Sequence, residues 1–311
     1  MSSLKVGPCD HSFLAQMSSY GVQIASDLHI EFYLNMREEE EGELFASILE
    51  KNESAFALAL LGDIGVLTGE RSRNQYERFL KWCISKWEHV IVLTGNHEYY
   101  SSPSSDLKSI TLVDEYLMKL EKNFEGLHFL QKGILEINGI VIMGCTLWSY
   151  VPDNAATVVG RGLTDYRVIY SSDADGSSFR RIFVENTNEI HSDHVYWLRE
   201  KLREFYDREI IVLSHHTPCM TGTSDPIHEQ QDTPNLMAHG FSTDLLDIIA
   251  EFPRIRAWAY GHTHYNNRQC CIFEDSDGTE STGTILVSNQ YGYHGEGKRQ
   301  INYAYDSQFT I

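Results

Sequence analysis

Short apolar runs alternate along this chain with longer stretches in which apolar residues recur every three or four positions. Val22–Ala25, Ala57–Leu61, Val90–Leu93, Ile140–Gly144, Ile210–Leu213, Ala257–Tyr260 and Thr284–Ser288 belong to the first kind. Several are continuously apolar, as strands covered on both faces are. Glu38–Lys51, Arg71–Trp87, Asp106–Asn123, Asp193–Tyr206 and Ser242–Glu251 belong to the second kind. In Asp193–Tyr206, the residues Val195, Leu198, Leu202 and Phe205 fall on one helical stripe. This alternation predicts an α/β fold built around layered sheets. Pro152–Phe179, polar and glycine-rich, and Thr217–Gly240, with Pro218, Pro226 and Pro234, fit neither pattern and read as long loops. Loops of that length in a compact domain are usually functional.

What ends the strands matters more than the strands. Ser26-Asp27-Leu28-His29, Gly62-Asp63, Gly95-Asn96-His97-Glu98, Ser214-His215-His216-Thr217-Pro218 and Gly261-His262-Thr263-His264 each follow an apolar run directly. In an open α/β sheet, the carboxyl ends of the strands form the crevice where ligands bind. Carboxylates, imidazoles and one amide gathered there are the donor set of a metal site. Asp27 and His29 are two residues apart, as are His262 and His264, so in extended backbone each pair points the same way. Asp63, with two oxygens, can bridge two ions. Mixed N/O donors without a thiolate suit Mn, Fe, Zn or Mg rather than a structural zinc.

Charge and cysteines narrow the function. The 311 residues include 44 Asp+Glu against 25 Lys+Arg, a net charge of −19. A surface this acidic repels nucleic-acid backbones and anionic membranes. No run reaches the ~18 apolar residues of a membrane span, and the N-terminus lacks the pattern of a secretory signal. Cys9, Cys83, Cys145, Cys219, Cys270 and Cys271 form no C-x-x-C pair, so the expectation is six reduced thiols and a cytoplasmic protein. The acidic run Glu38–Glu41 reads as a solvated helix start.

The five motifs, in this order, make the chain resemble the calcineurin-like metallophosphoesterases, whose blocks are D-x-H, G-D, G-N-H-[DE], H and G-H-x-H. The resemblance spans about Val22 to Tyr293, and the wording "IASDLHIEF" and "SHHTP" is similar to a branch of single-domain members. It implies one domain over residues 1–311, with residues 1–20 as an N-terminal extension and a core at about 21–295. The implied fold is a four-layer sandwich of two mixed β-sheets flanked by helices, with two metal ions at the carboxyl ends of the strands. By the same resemblance, Asp27, His29 and His264 hold one ion, Asp63 bridges, and Asn96, His215 and His262 hold the other. His215 aligns with the family ligand better than His216, which would then lie behind the ligands or face the substrate.

His97 binds no metal in this family; it faces the substrate and helps the leaving group depart. The implied reaction is in-line attack on a phosphomonoester or phosphodiester by a hydroxide shared between the ions, with His97 as general acid. Family members often orient this histidine with an aspartate after the G-D block. No Asp follows Gly62-Asp63-Ile64-Gly65-Val66 closely, which leaves the orienting partner open.

Substrate features are sparse. Arg161 and Arg167 lie in the irregular Pro152–Phe179 stretch, in a D-Y-R type segment that similar members also carry. They read either as holders of a substrate anion or as an Arg–Asp pair that pins the loop. Tyr293 could stack on a substrate ring, Tyr99 and Tyr100 are candidates for the cleft rim, and Thr217–Gly240 is long enough for a lid. Trp148, Trp197 and Trp258 read as core. The expected partner is a small phosphorylated molecule or a short phosphopeptide, with no nucleic acid and no membrane. Two other functions use the same fold. An interaction scaffold with a decayed metal site would have lost ligands, whereas every ligand position here is filled. A nuclease is disfavoured by the charge.

Overall fold

The computed structural model describes residues 3–9, 21–173, 176, 178–229, 234–274 and 280–294. Residues 10–20 of the N-terminal extension lie outside the described residues. In chain order, β1 (Ser3–Pro8) and β2 (Val22–Ala25) precede α1 (Glu38–Ile48), β3 (Ala57–Leu61), α2 (Glu70–Ile84), β4 (His89–Leu93), α3 (Ile110–Asn123) and β5 (Leu127–Phe129). Then come β6 (Gly133–Ile137), β7 (Ile140–Cys145), α4 (Asp153–Gly162), α5 (Asp165–Val168), β8 (Tyr170–Ser172), β9 (Phe179–Arg181) and α6 (Val184–Glu204). The chain continues with β10 (Ile210–Ser214), α7 (Pro226–Glu229), α8 (Leu246–Glu251), β11 (Ile255–Tyr260), β12 (Arg268–Glu274) and β13 (Glu280–Ser288).

Two sheets carry the fold. β2-β3-β4-β5 is wholly parallel, and β1-β12-β13-β11-β10-β7-β6 is mixed, with β7, β10, β11 and β13 parallel at its centre. The expected two-sheet sandwich is therefore observed, with one sheet mixed and the other parallel. Each continuously apolar strand serves two layers. On β3, Ala57, Ala59 and Leu61 pack between the sheets, while Leu58 and Leu60 pack under helices. β10 divides likewise, with Ile211 and Leu213 between the sheets and Ile210 and Val212 against α6 and α8. Three apolar layers between four layers of structure follow from that alternation.

Several elements exceed the expectation. Pro152–Phe179 is not irregular: it holds α4 and α5, with Ala155 and Val159 of α4 buried. Gly160, Gly162 and the branched Thr157, Val158 and Val159 are weak helix formers, which hid it. α6 starts nine residues before Asp193, and after Val184 its next inward positions are Thr187, His191 and His194 rather than aliphatic, which hid its first half. Those histidines bind the backbone of a left-handed turn at Leu147-Trp148: the Leu147 N–H donates to His194 Nδ1 (3.2 Å), and His191 Nδ1 meets the Trp148 carbonyl (2.8 Å).

The expectation of six reduced thiols fails for one pair. β1 lies antiparallel to β12 at the sheet edge, and a disulfide joins Cys9 to Cys270. Their sequence separation of 261 concealed the pairing, and the cysteine pattern no longer argues for a reducing compartment. Cys83, Cys145, Cys219 and Cys271 are free and buried. Among the described residues, no helix is long and apolar enough to cross a membrane.

Candidate metal centre

The loops after β2, β3, β4, β10 and β11 meet at one end of the sandwich and are stitched together by their backbones. The N–H groups of Asp27, His29 and Ile30 donate to the carbonyls of Gly62, Asp63 and Ile64, and Gly261 N–H donates to the His215 carbonyl. Glu98, fully buried, accepts from the N–H groups of Asp63, Ile64 and Gly95 (2.7–3.0 Å), tying the G-D loop to the G-N-H loop.

The extended-backbone reason for pairing Asp27 with His29 does not hold. Asp27, His29, Asp63, His262 and His264 all have φ between 47° and 76°, a left-handed conformation that costs a non-glycine residue about 1–2 kcal/mol. Tight turns, not strand alternation, aim these side chains inward. The neighbouring glycines leave them room. A Cβ on Gly261 would lie 2.7 Å from Asp27 Oδ2, and one on Gly95 would lie 2.7 Å from His215 Nε2.

The convergence is close. His29 Nε2 lies 3.2 Å from His264 Nε2, which is 3.4 Å from Asp27 Oδ1. On the other side, His215 Nε2 lies 3.1 Å from both Asn96 Oδ1 and His262 Nδ1. Asp63 sits between: its Oδ1 is 3.5 Å from His215 Nε2, and its Oδ2 is 4.0 Å from His29 Nε2. Donors about 2.1 Å from a shared ion sit ~3.0–3.4 Å from one another, so these two groups could each hold a metal ion, with Asp63 facing both.

Electrostatics agree with a cation site. Asp27 and Asp63 are buried, and the histidines are their ion-pair partners among the described residues. Burial, with Glu98 and Asp27 nearby, drives the Asp63 carboxyl well above its usual range despite the attraction of His97. Burial would raise Asp27 too, but contact with His264 and the fields of His264, His215 and His29 hold it low. Burial pushes His215 down to about 4 and His262 to about 3, leaving neutral rings with free lone pairs. Neutral imidazoles facing one another around buried carboxylates are what a metal ion would satisfy.

Glu31 went unnoticed in the sequence although it stands two residues past the D-x-H block. Its Oε1 lies 3.1 Å from His29 Nδ1 and 3.2 Å from His97 Nδ1. The orienting carboxylate absent after the G-D block thus comes from the first loop. Burial would lower His97, but Asp63, the Glu31 hydrogen bond and Asp165 raise it to about 9. His97 Nε2 meets the Tyr293 hydroxyl at 3.1 Å, and Tyr100 stacks on its ring at 4.0 Å.

The remaining candidates divide. A cleft of about 850 Å³ opens onto Asp63, Asn96, His97, His262, His264 and Tyr293. Arg161 and Arg167 are exposed and do not line it. Arg167 instead donates to the Arg161 carbonyl and to Thr164 Oγ1, both at 2.9 Å. The residue of the D-Y-R segment that arrives is Asp165, which accepts from Asn96 Nδ2 (2.9 Å) and Tyr100 Oη (2.6 Å). His216 is buried between His262 and Trp148, off the cleft. Tyr99 is also core, bonded to Thr94 and Asp114, whereas Tyr100 reaches the cleft. Gln290 accepts from the His264 N–H and braces the last loop.

Known proteins that this chain is similar to cover most of its length. "Uncharacterized protein L509" of Acanthamoeba polyphaga mimivirus is 26% identical over 294 residues, covering 91% of this chain and 95% of that protein. The crystal structure of a phosphopantetheinyl hydrolase from Mycobacterium tuberculosis has a TM-score of 0.62 at 14% identity, covering 92% of this chain and 94% of that one, a likeness of fold. A family model for calcineurin-like phosphoesterases matches residues 22–266, from β2 through the Gly261–His264 motif. The chain belongs to the calcineurin-like phosphoesterase family, whose members are metal-dependent phosphoester hydrolases.

Proposed function

We propose that this protein hydrolyses a phosphomonoester or phosphodiester at a centre of two metal ions. Asp27, His29 and His264 would hold one ion, Asn96, His215 and His262 the other, and Asp63 both. The observation that carries this reading is Asp63, whose two oxygens face different histidine groups. When bound, such ions polarise phosphoryl oxygens and lower the pKa of a water near phosphorus. Mn, Fe, Zn and Mg all suit the mixed N/O donors.

The chain's own part in the chemistry centres on His97. Glu31 fixes its ring through Nδ1 and stabilises the imidazolium, so Nε2 carries a proton toward the cleft. A leaving-group oxygen arriving where the Tyr293 hydroxyl now lies would take that proton. Asn96 is oriented by Asp165, so its amide oxygen turns toward His215 and away from the cleft wall. The acidic chain as a whole favours a small phosphorylated substrate over an extended polyanion.

Metal analysis of the purified protein, followed by assays with added Mn²⁺ on generic monoester and diester substrates, tests the reading. Bound transition metal together with hydrolysis supports it. A metal-free protein that Mn²⁺ does not activate would refute it.

A further inference from the structure

From the lining of the cleft we infer a substrate class: a phosphate ester whose only strong negative charge is the phosphoryl group, borne on a neutral, partly apolar tail. This rests on the phosphoesterase reading and goes beyond it. The cleft has room for on the order of two dozen atoms, at about 30 Å³ for each water-sized group. Its 850 Å³ therefore exceeds what a phosphoryl group at the ligand cluster occupies.

The wall beyond the ligands is made of two kinds of side chain. Leu163, Met220, Met237 and Phe241 give it an apolar face, and methionine adapts to tails of varied shape. Asp165, Asp225 and Glu229 make it negative. The Glu229 carboxylate is fixed by the N–H groups of Gly222, Thr223 and Ser224 at 2.9–3.1 Å, so its charge cannot swing away.

Among the described lining residues there is no Lys or Arg. Recognition of a second phosphate or carboxylate normally recruits a guanidinium or ammonium. The nearby arginine that could have served, Arg167, is spent on its own loop. A tail anion would leave water for a wall whose described residues beyond the ligands offer carboxylates and no guanidinium or ammonium, a penalty that acts as selection against the wrong substrate. A neutral tail meets apolar side chains and the neutral polar groups of Thr164, Ser224 and Asn235.

The test compares esters with tails of equal length ending in an amide, a carboxylate or a second phosphate, on the full chain loaded with Mn²⁺. The expected result is kcat/KM about tenfold or more higher for the amide tail, carried mainly by KM. Met237→Lys, which adds a cation to the wall, should narrow that gap by about threefold or more. Its circular dichroism spectrum and bound metal should match those of the unsubstituted chain, which shows that the variant is folded. Calorimetric binding of the matching non-hydrolysable phosphonates reads the same preference without turnover. Equal or tighter binding of the anionic tails overturns the substrate class. Retained preference in binding with no hydrolysis of any ester overturns the phosphoesterase reading alone.

Discussion

The two halves of the ligand cluster are built alike in what they present and differently in what stands behind it. Each offers two imidazole nitrogens and one oxygen donor, with Asp63 shared. In the half containing His29, the ring nitrogen turned away from the centre meets a carboxylate, Glu31. In the half containing His215, the corresponding nitrogen meets the Leu61 backbone carbonyl at 2.8 Å, and the outer nitrogen of His262 meets the Gly240 carbonyl at 3.4 Å. A carboxylate behind an imidazole raises its basicity and adds negative charge; a carbonyl fixes the tautomer with less of both. The same Glu31 oxygen reaches His97. The histidines of one half are therefore coupled to His97, the proposed proton donor, while those of the other are held by backbone carbonyls.

The strongest way to break the comparison is to remove what the halves share. Asp63→Ala should lower activity by about 10³-fold or more and halve or abolish bound metal, measured by elemental analysis. An Asp63→Ala protein with full metal content would show that the halves do not depend on this residue. His97→Ala should keep its metal and lose about 10²-fold or more in kcat. Metal loss in that variant would place His97 among the ligands instead.

Glu31→Gln sharpens the difference. It keeps the shape of the side chain but removes its charge, and should weaken one metal equivalent by about 10–100-fold while sparing the other. It also has a pH signature. His97, whose pKa Asp63 and Glu31 raise, should give an activity that is present while its imidazole is protonated and is lost as pH rises through that raised pKa. In Glu31→Gln that alkaline limb should move to lower pH by about one unit, as expected when a stabilising carboxylate of ~1.4 kcal/mol is lost. A limb that stayed in place would show that Asp63 and Asp165 hold the proton on His97 without Glu31.

Smaller still is the effect expected at the D-Y-R segment. Arg161→Ala, at an exposed residue that does not line the cleft, should change kcat/KM by less than about twofold. A large rise in KM would mean that this arginine reaches the substrate.

A separate expectation concerns stability in acid. His194, held neutral by burial at about 3, takes up a proton near its ordinary value only when the chain unfolds. The metal-free protein should therefore lose stability as pH falls from about 6.5 toward 3, and His194→Gln should lessen that loss. Chemical denaturation at several pH values measures it.

The strands and the donor residues were readable in the chain because each of these signals is local. A strand covered on both faces tends to be apolar at every position, so β3 and the Ile210–Leu213 part of β10 show themselves as runs. A donor set placed at strand ends appears as polar residues directly after those runs. What stayed hidden is non-local or lacks contrast. α4 is written in weak helix formers, α6 buries histidines where a helix reader looks for leucines, and β1 and β12 are joined by register and a disulfide across most of the chain. Arg167 could be read either as a substrate contact or as a pin for its loop, because a charge on a loop does not reveal which way it faces.

The sequence by itself determined the layer pattern, the family and the residue types at the centre, since burial periodicity and donor chemistry are properties of short segments. Only the tertiary structure decided which carboxylate serves His97, which residue of the D-Y-R segment reaches the cleft, and that left-handed turns aim the ligands. Those facts depend on distances between loops that the chain brings together only after the sheets have packed. No spacing along the sequence encodes them.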